Sequence, residues 1–325
     1  MSYTLQHRNC PVCDSSKSER LLPSVKYDLL ERRFRQADAI WLCVCQECGV
    51  TYEDPGIVYL ASAEYADQGY YVEGNEAEEH NKLQIILANY RWQLLHDRLQ
   101  LKQGAVTLDV GATGAWSAKV VSQVTASVNH LVEPSSAAIA LCKRLYPEVI
   151  PHHAVFDSPS FGIADGVDLI TFFYSLYCMD NPACSLAKAR DLLRENGRLL
   201  INISHVLMQN EIWDLNGKRP WLEMEHIARG TPVVYYDPIS ISILLGLSGF
   251  QIDEKFIFQH PENSYFQGRQ ETFILATKAK KRTREAVLAE NRGAENSTRS
   301  RSRLLSYCMQ ASIKSMNQFS QHYPL

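Results

Sequence analysis

No stretch of this chain is apolar for the roughly 18 residues that a bilayer-crossing helix needs, and the N-terminus lacks an apolar signal core. Those absences predict a soluble cytoplasmic protein with no membrane partner. There is no internal repeat and little net charge, the formal value being -3. That small number hides an asymmetry, because residues 278–303 carry nine Lys/Arg against three Glu and leave the remainder acidic. The basic stretch also lacks interleaved aromatics, so nucleic acid is not the expected partner, and a solvated terminal helix or flexible tail is the expected form.

What the chain does have is ample material for a core. Its 325 residues are 46% hydrophobic and 10% aromatic, enough for a globular protein of two domains. Nine cysteines suggest disulfides at first sight. Four of them, however, form two Cys-x-x-Cys pairs, Cys10 with Cys13 and Cys45 with Cys48, separated by 31 residues. Each such turn presents two thiolates from a tight knuckle, and two knuckles complete a tetrahedral Zn2+ sphere with no open position, which reads as structural in a reducing compartment. Buried or redox-active thiols are the alternative. Cys43, two residues before Cys45, is expected to be a small hydrophobe in the adjoining strand.

The first segment, 1–60, therefore reads as a zinc-binding ribbon with short apolar stretches such as Ile40 to Val44. In 61–103 the apolar positions Leu83, Ile86, Leu87, Tyr90 and Leu94 predict an amphipathic connecting helix from about Glu78 to Gln103. From Gly104 strands and helices alternate: strands at 105–110, 128–132, 149–155, 167–173 and 198–204, with helices from about 116, at 135–145 and at 182–194. That alternation implies parallel βαβ units, and so an α/β fold with a Rossmann-like doubly wound sheet over 104–278. An irregular insertion at 205–235 breaks it, followed by a helix from Pro238 to Leu247 and strands at 250–258 and 271–277. The basic tail is 279–325.

The segment from Val106 to Gly114 is a buried strand running into a glycine turn, with Asp109, Gly111, Thr113 and Gly114 in the loop. Glycine lets backbone approach a ligand, and the helix N-terminus that follows offers unpaired N–H donors. Glu133, about 20 residues on at the end of the second strand, is placed to accept ribose hydroxyls. Asp157, after the third strand, is placed to receive an adenine amine. A nicotinamide enzyme would use similar parts, but the Gly-x-Gly-x-x-Gly run that cradles pyrophosphate is missing. Asp109 would repel phosphates, whereas it suits a cofactor carrying an ammonium and a sulfonium.

On these residues the chain resembles the class I S-adenosylmethionine methyltransferases. Leu108 to Ser117 looks like their first motif and Val132, Glu133 and Pro134 like their second. Val167 to Pro182, Leu192 to Ser204 and the helix leading to Gly249 and Phe250 resemble the later motifs. With its cysteine pairs the chain is similar to the zinc-binding subgroup related to sugar C-methyltransferases. The resemblance implies S-adenosyl-L-methionine as cofactor, a structural zinc, and methyl transfer to carbon, oxygen or nitrogen of a small-molecule substrate. It departs from the family in a shorter glycine loop and in Cys178, where relatives often carry histidine.

Methyl transfer mainly demands alignment and, when needed, removal of a proton. The resemblance points to Glu225 and His226 as the base pair, and to Tyr71, beside Tyr70, as part of an aromatic pair closing over the ligands; Tyr235 and Tyr236 come later than the family's tyrosine. His205, just after the fifth strand, opens on the substrate side. Two other readings stay open: a catalytically silent relative that binds cofactor or partner, and a zinc-ribbon methyltransferase acting on RNA.

Overall fold

A computed structural model describes residues 3–28, 33–59, 75–112, 116–203, 233–259 and 270–291. In the N-terminal region β1 (Tyr3–Gln6) pairs with β5 (Gly56–Tyr59), and β2 (Ser18–Asp28), β3 (Arg33–Cys45) and β4 (Thr51–Asp54) form an antiparallel meander. Strands of 11 and 13 residues replace the short stretches expected around Ile40 to Val44.

The long helix α1 (Asn75–Leu99) stops four residues short of the expected end at Gln103, because Gln100 turns to a φ of 47°. Its buried face matches the stripe read from the sequence only in part, at Leu87. Ile86 and Tyr90 are 52% and 43% exposed, while Leu87, Arg91, Leu95 and Leu99 point inward together with Trp92. A charged residue sits in the middle of that buried row, which is why apolar periodicity alone selected the neighbouring face.

From there the expected alternation appears: β6 (Val106–Val110), α2 (Trp116–Thr125), β7 (Val128–Glu133), α3 (Ser136–Leu145), β8 (Ile150–His153) and β9 (Val167–Phe173). A 3-10 turn (Leu176–Cys178), α4 (Pro182–Leu192) and β10 (Leu193–Ile203) follow. The last part holds β11 (Val234–Tyr235), α5 (Pro238–Ser248), β12 (Phe250–Gln259), β13 (Gln270–Lys278) and α6 (Arg284–Asn291). Local chemistry sets these boundaries. Ser135 and Asn181 cap α3 and α4, Asp237 and Ser240 form a capping box on α5, and Gly249 ends α5 at a φ of 80°.

Seven strands form one sheet in the order β12-β13-β10-β9-β6-β7-β8. β6 to β10 run parallel, and β13 is antiparallel to both β10 and β12. The central strands β6, β9 and β10 are largely buried on both faces, whereas the edge strand β8 is partly exposed.

The ribbon is welded to this sheet. β11 adds as an edge strand to β4, so residues beyond the insertion complete the N-terminal meander. Cys10, Val12, Cys45 and Tyr52 share one core with Val110, Phe172, Ile203 and Ile241. The first part of the expected solvated tail is likewise docked: Val287 of α6 is buried against Gly246, and Arg284 donates to the Cys13 carbonyl at 2.8 Å and pairs with Glu47. Among the described residues no helix is long and apolar enough to cross a membrane.

Candidate cofactor edge and metal centre

The C-terminal ends of β6, β7 and β9 line up. Asp109 is opposite Leu131 on one side and Thr171 on the other, and Val110 is opposite Val132. Asp109 is buried and accepts a hydrogen bond from Thr171 Oγ1 at 2.7 Å. Burial pushes its carboxyl up to about 7, Thr171 and the positive field of Arg91 pull back, and Glu133 adds to the rise.

Gly111 follows at a φ of 68°, and its N–H donates to the Val132 carbonyl at 2.9 Å. A Cβ there would lie 2.7 Å from the Ser175 Cβ, so side-chain space is absent as well as the backbone freedom that other residues lack. Ser175 Oγ in turn donates to the Val110 carbonyl at 2.6 Å, locking the turn after β9 against the turn after β6. Glu133, at the end of β7, is buried and accepts from the Ser135 N–H at 3.0 Å. Asp157 accepts from Ser185 Oγ at 2.7 Å, and burial raises its carboxyl while Ser185 and Lys188 oppose the rise. Thus Asp109, Gly111 and Glu133 are brought together on one edge, with Asp157 flanking it after β8. Thr113 and Gly114 lie outside the described residues, and so do Tyr71, His205, Glu225 and His226.

Behind this edge lies a cluster that the motif reading missed. Arg91 Nε and Nη2 each donate to the Glu271 carboxylate at 2.8 Å, and Nη2 also reaches the Tyr174 hydroxyl at 3.1 Å. Asn202 Nδ2 donates to Glu271 at 3.1 Å. Burial pulls the guanidinium down, but Glu271 and Tyr174 pull it further up and hold it charged. Tyr174 has a φ of 56°, and its ring lies 4.9 Å beneath the guanidinium. A bulky residue in the left-handed region, one position before Ser175, is the kind of strain that gathers at ligand sites. The one available signal was a basic residue inside a buried helical row.

Tyr235 and Tyr236 are both fully buried, Tyr235 opposite Thr51 of β4 and Tyr236 in the core shared with the ribbon cysteines. Cys178 is half-buried, its thiol 3.8 Å from the Tyr174 carbonyl.

The four ribbon cysteines converge. Their sulfurs all lie within 4.8 Å of one another, with Cys10 to Cys48 at 3.5 Å and Cys13 to Cys45 at 3.6 Å. A tetrahedral ion with metal–sulfur bonds of ~2.3 Å would hold sulfurs about 3.8 Å apart, so the donor set fits. The two knuckles repeat one geometry. Asp14 and Gly49, at φ 58° and 76°, each donate their N–H back to Cys10 and Cys45 carbonyls. The Glu47 and Cys48 N–H groups point at Cys45 Sγ. Burial drives the Cys48 thiol up, while hydrogen bonds from the neighbouring thiols bring Cys45 down. Cys43 is buried outside this set in β3, as expected, its thiol pushed up to about 11 by burial.

Five parallel strands followed by an antiparallel hairpin that inserts β13 beside β10 decide the scaffold. The chain has the class I methyltransferase fold. No family model and no curated protein matches it. Among solved structures, a chain of the complex between the Haloferax volcanii Trm112 methyltransferase activator and a methyltransferase is 12% identical, matched over 65% of this chain and 100% of its own, with a TM-score of 0.48. An O-methyltransferase from Nostoc punctiforme is 14% identical over 60% and 57% of the two chains, with a TM-score of 0.47. The magnesium protoporphyrin IX methyltransferase of Synechocystis with bound SAH is 12% identical over 68% and 97%, with a TM-score of 0.43. The strand order itself carries the fold assignment.

Proposed function

We propose that this chain transfers a methyl group from S-adenosyl-L-methionine to a small-molecule acceptor, at carbon, oxygen or nitrogen, with a sugar nucleotide or natural-product intermediate as the substrate class. The observation that carries the reading is Asp109, a buried carboxyl resting on Thr171 at 2.7 Å beside a Gly111 turn with no room for a side chain. When bound, the cofactor supplies an electrophilic methyl on a good leaving group. Asp109 serves its positive charge, Glu133 its ribose hydroxyls and Asp157 its adenine amine, with Gly111, Thr113 and Gly114 forming the close backbone approach. Glu225 and His226 act as the base pair, with His205 and Tyr71 on the acceptor side. Zn2+ on Cys10, Cys13, Cys45 and Cys48 is structural, in a reducing, cytoplasmic setting related to that of the sugar C-methyltransferases.

The docked α6 speaks against the RNA alternative, since Arg282 and Arg284 are paired with Glu290 and Glu47. The test is transfer of labelled methyl from S-adenosylmethionine to panels of small-molecule hydroxyl, amine and carbon acceptors and, separately, to RNA. Label on a small molecule, lost in Glu133→Ala, supports the proposal. Label on RNA alone, or on neither, overturns it.

A further inference from the structure

Arg8, two residues before the first metal-binding cysteine, bridges three separate segments. Its Nε donates to the Glu53 carbonyl of β4 at 3.0 Å, Nη1 to the Asp180 carbonyl at 2.9 Å, and Nη2 to the Val233 carbonyl at 3.3 Å. Its own N–H is held by Asp54 at 3.0 Å, and its guanidinium lies 5.8 Å above the Tyr52 ring. Asp180 ends the turn between β9 and α4, on the edge where Tyr174 and Ser175 stand. Val233 is where the described chain resumes after 204–232, just before β11. It is tied twice more, its N–H donating to the Tyr177 carbonyl at 2.9 Å and its carbonyl accepting from the Glu53 N–H at 3.0 Å.

Guanidinium has donors only, in a fixed fork, and here the fork is spent on main-chain oxygens from the ribbon, the turn after β9 and the return of the insertion. Among the described residues, the hydrogen bonds of Arg8 go to Glu53, Asp54, Asp180 and Val233 and none to Asp109, Gly111 or Glu133. Arg8 is joined through Asn9 alone to the Cys10 to Ser15 knuckle, which is closed by the Cys10 N–H on the Ser15 carbonyl and the Asp14 N–H on the Cys10 carbonyl and carries two of the four clustered sulfurs.

We propose that Arg8 is a positioning residue that couples metal occupancy of the four-cysteine cluster to the placement of the turn after β9 and of the segment entering β11, the acceptor side of the site, while leaving the cofactor edge alone. Coupling is reciprocal: if bound metal orders those segments through Arg8, then loss of Arg8 weakens metal binding. The coupling itself stands whether or not the methyl-transfer reading holds, since neither the cluster nor these hydrogen bonds depends on it.

The experiment compares full-length, zinc-loaded wild type, Arg8→Gln and Cys45→Ser by hydrogen exchange, together with zinc transfer to a chromophoric chelator. In Arg8→Gln the amides of 176–181 and 233–236 should exchange on the order of tenfold faster, while those of β6 and β7 keep their wild-type rates, as expected for loss of charge-assisted hydrogen bonds at one place. Zinc should remain at one per chain but pass to the chelator on the order of tenfold more readily. Metal-free wild type should show the same local pattern. Should Cys45→Ser unfold outright, the Arg8→Gln arm decides by itself. Wild-type exchange at both segments in Arg8→Gln, unchanged zinc affinity, or exchange raised equally throughout the chain would each overturn the coupling.

Discussion

Arg91 and Glu271, 180 residues apart in sequence, meet as a buried two-pronged pair with both N–O separations at 2.8 Å. The pair ties α1 to the start of β13 beneath Tyr174. Removing one partner strands a charge in the core, so Arg91→Met or Glu271→Gln should each cost about 3–5 kcal/mol in chemical denaturation. The double variant Arg91→Met with Glu271→Leu should lose much less than the sum of the two. Single variants as stable as wild type would show that the pair is not buried as described.

Asp109 makes stability and ligand affinity respond to pH in opposite senses. Its carboxyl is raised from 3.8 to about 7, so its contribution to folding is complete below pH 3.8 and is lost as pH rises through about 7. Relative to Asp109→Asn, which can still accept from Thr171, wild type should lose on the order of a few kcal/mol over that window. A cationic ligand favours the carboxylate, so affinity for S-adenosylmethionine should rise between pH 6 and 8 in wild type and stay flat in Asp109→Asn. Parallel stability curves for the two proteins would contradict the assignment.

Gly111 is fixed by two separate demands, its φ of 68° and the 2.7 Å approach to Ser175. Gly111→Ala should destabilise by about 1–3 kcal/mol. Adding Ser175→Gly relieves the contact but also removes the Ser175 Oγ hydrogen bond to the Val110 carbonyl, so against Ser175→Gly as the reference Gly111→Ala should cost less in thermal denaturation than it does in wild type. No cost against that reference would mean that the backbone conformation costs nothing.

Cys43 and Cys45 are close in sequence and opposite in role. Elemental analysis should find about one zinc per chain, lost in Cys45→Ser and kept in Cys43→Ala. Loss of metal in Cys43→Ala would redraw the ligand set.

The sheet and the cysteine cluster were legible because each rests on short-range chemistry: apolar strand runs alternating with helices capped by residues such as Ser135 and Asp237, and thiols at knuckle spacing. The face of α1 was not legible, since its inward row contains Arg91, and only Glu271 explains why a charge belongs there. Nor was the docking of the ribbon, which depends on β11 adding to β4 and on Arg8 reaching Asp180 and Val233, pairings that leave no local pattern. Tyr174 lies within the Val167 to Pro182 stretch, but nothing in that stretch singles it out, and its strained φ exists only in the folded chain.

The central claim is that the edge formed by Asp109, Gly111 and Glu133 holds S-adenosylmethionine, and calorimetric titration with S-adenosylhomocysteine tests it most directly. One site per chain is predicted, with affinity lost in Glu133→Ala and kept in Cys43→Ala. No heat of binding from folded, zinc-loaded protein at millimolar S-adenosylhomocysteine would contradict it.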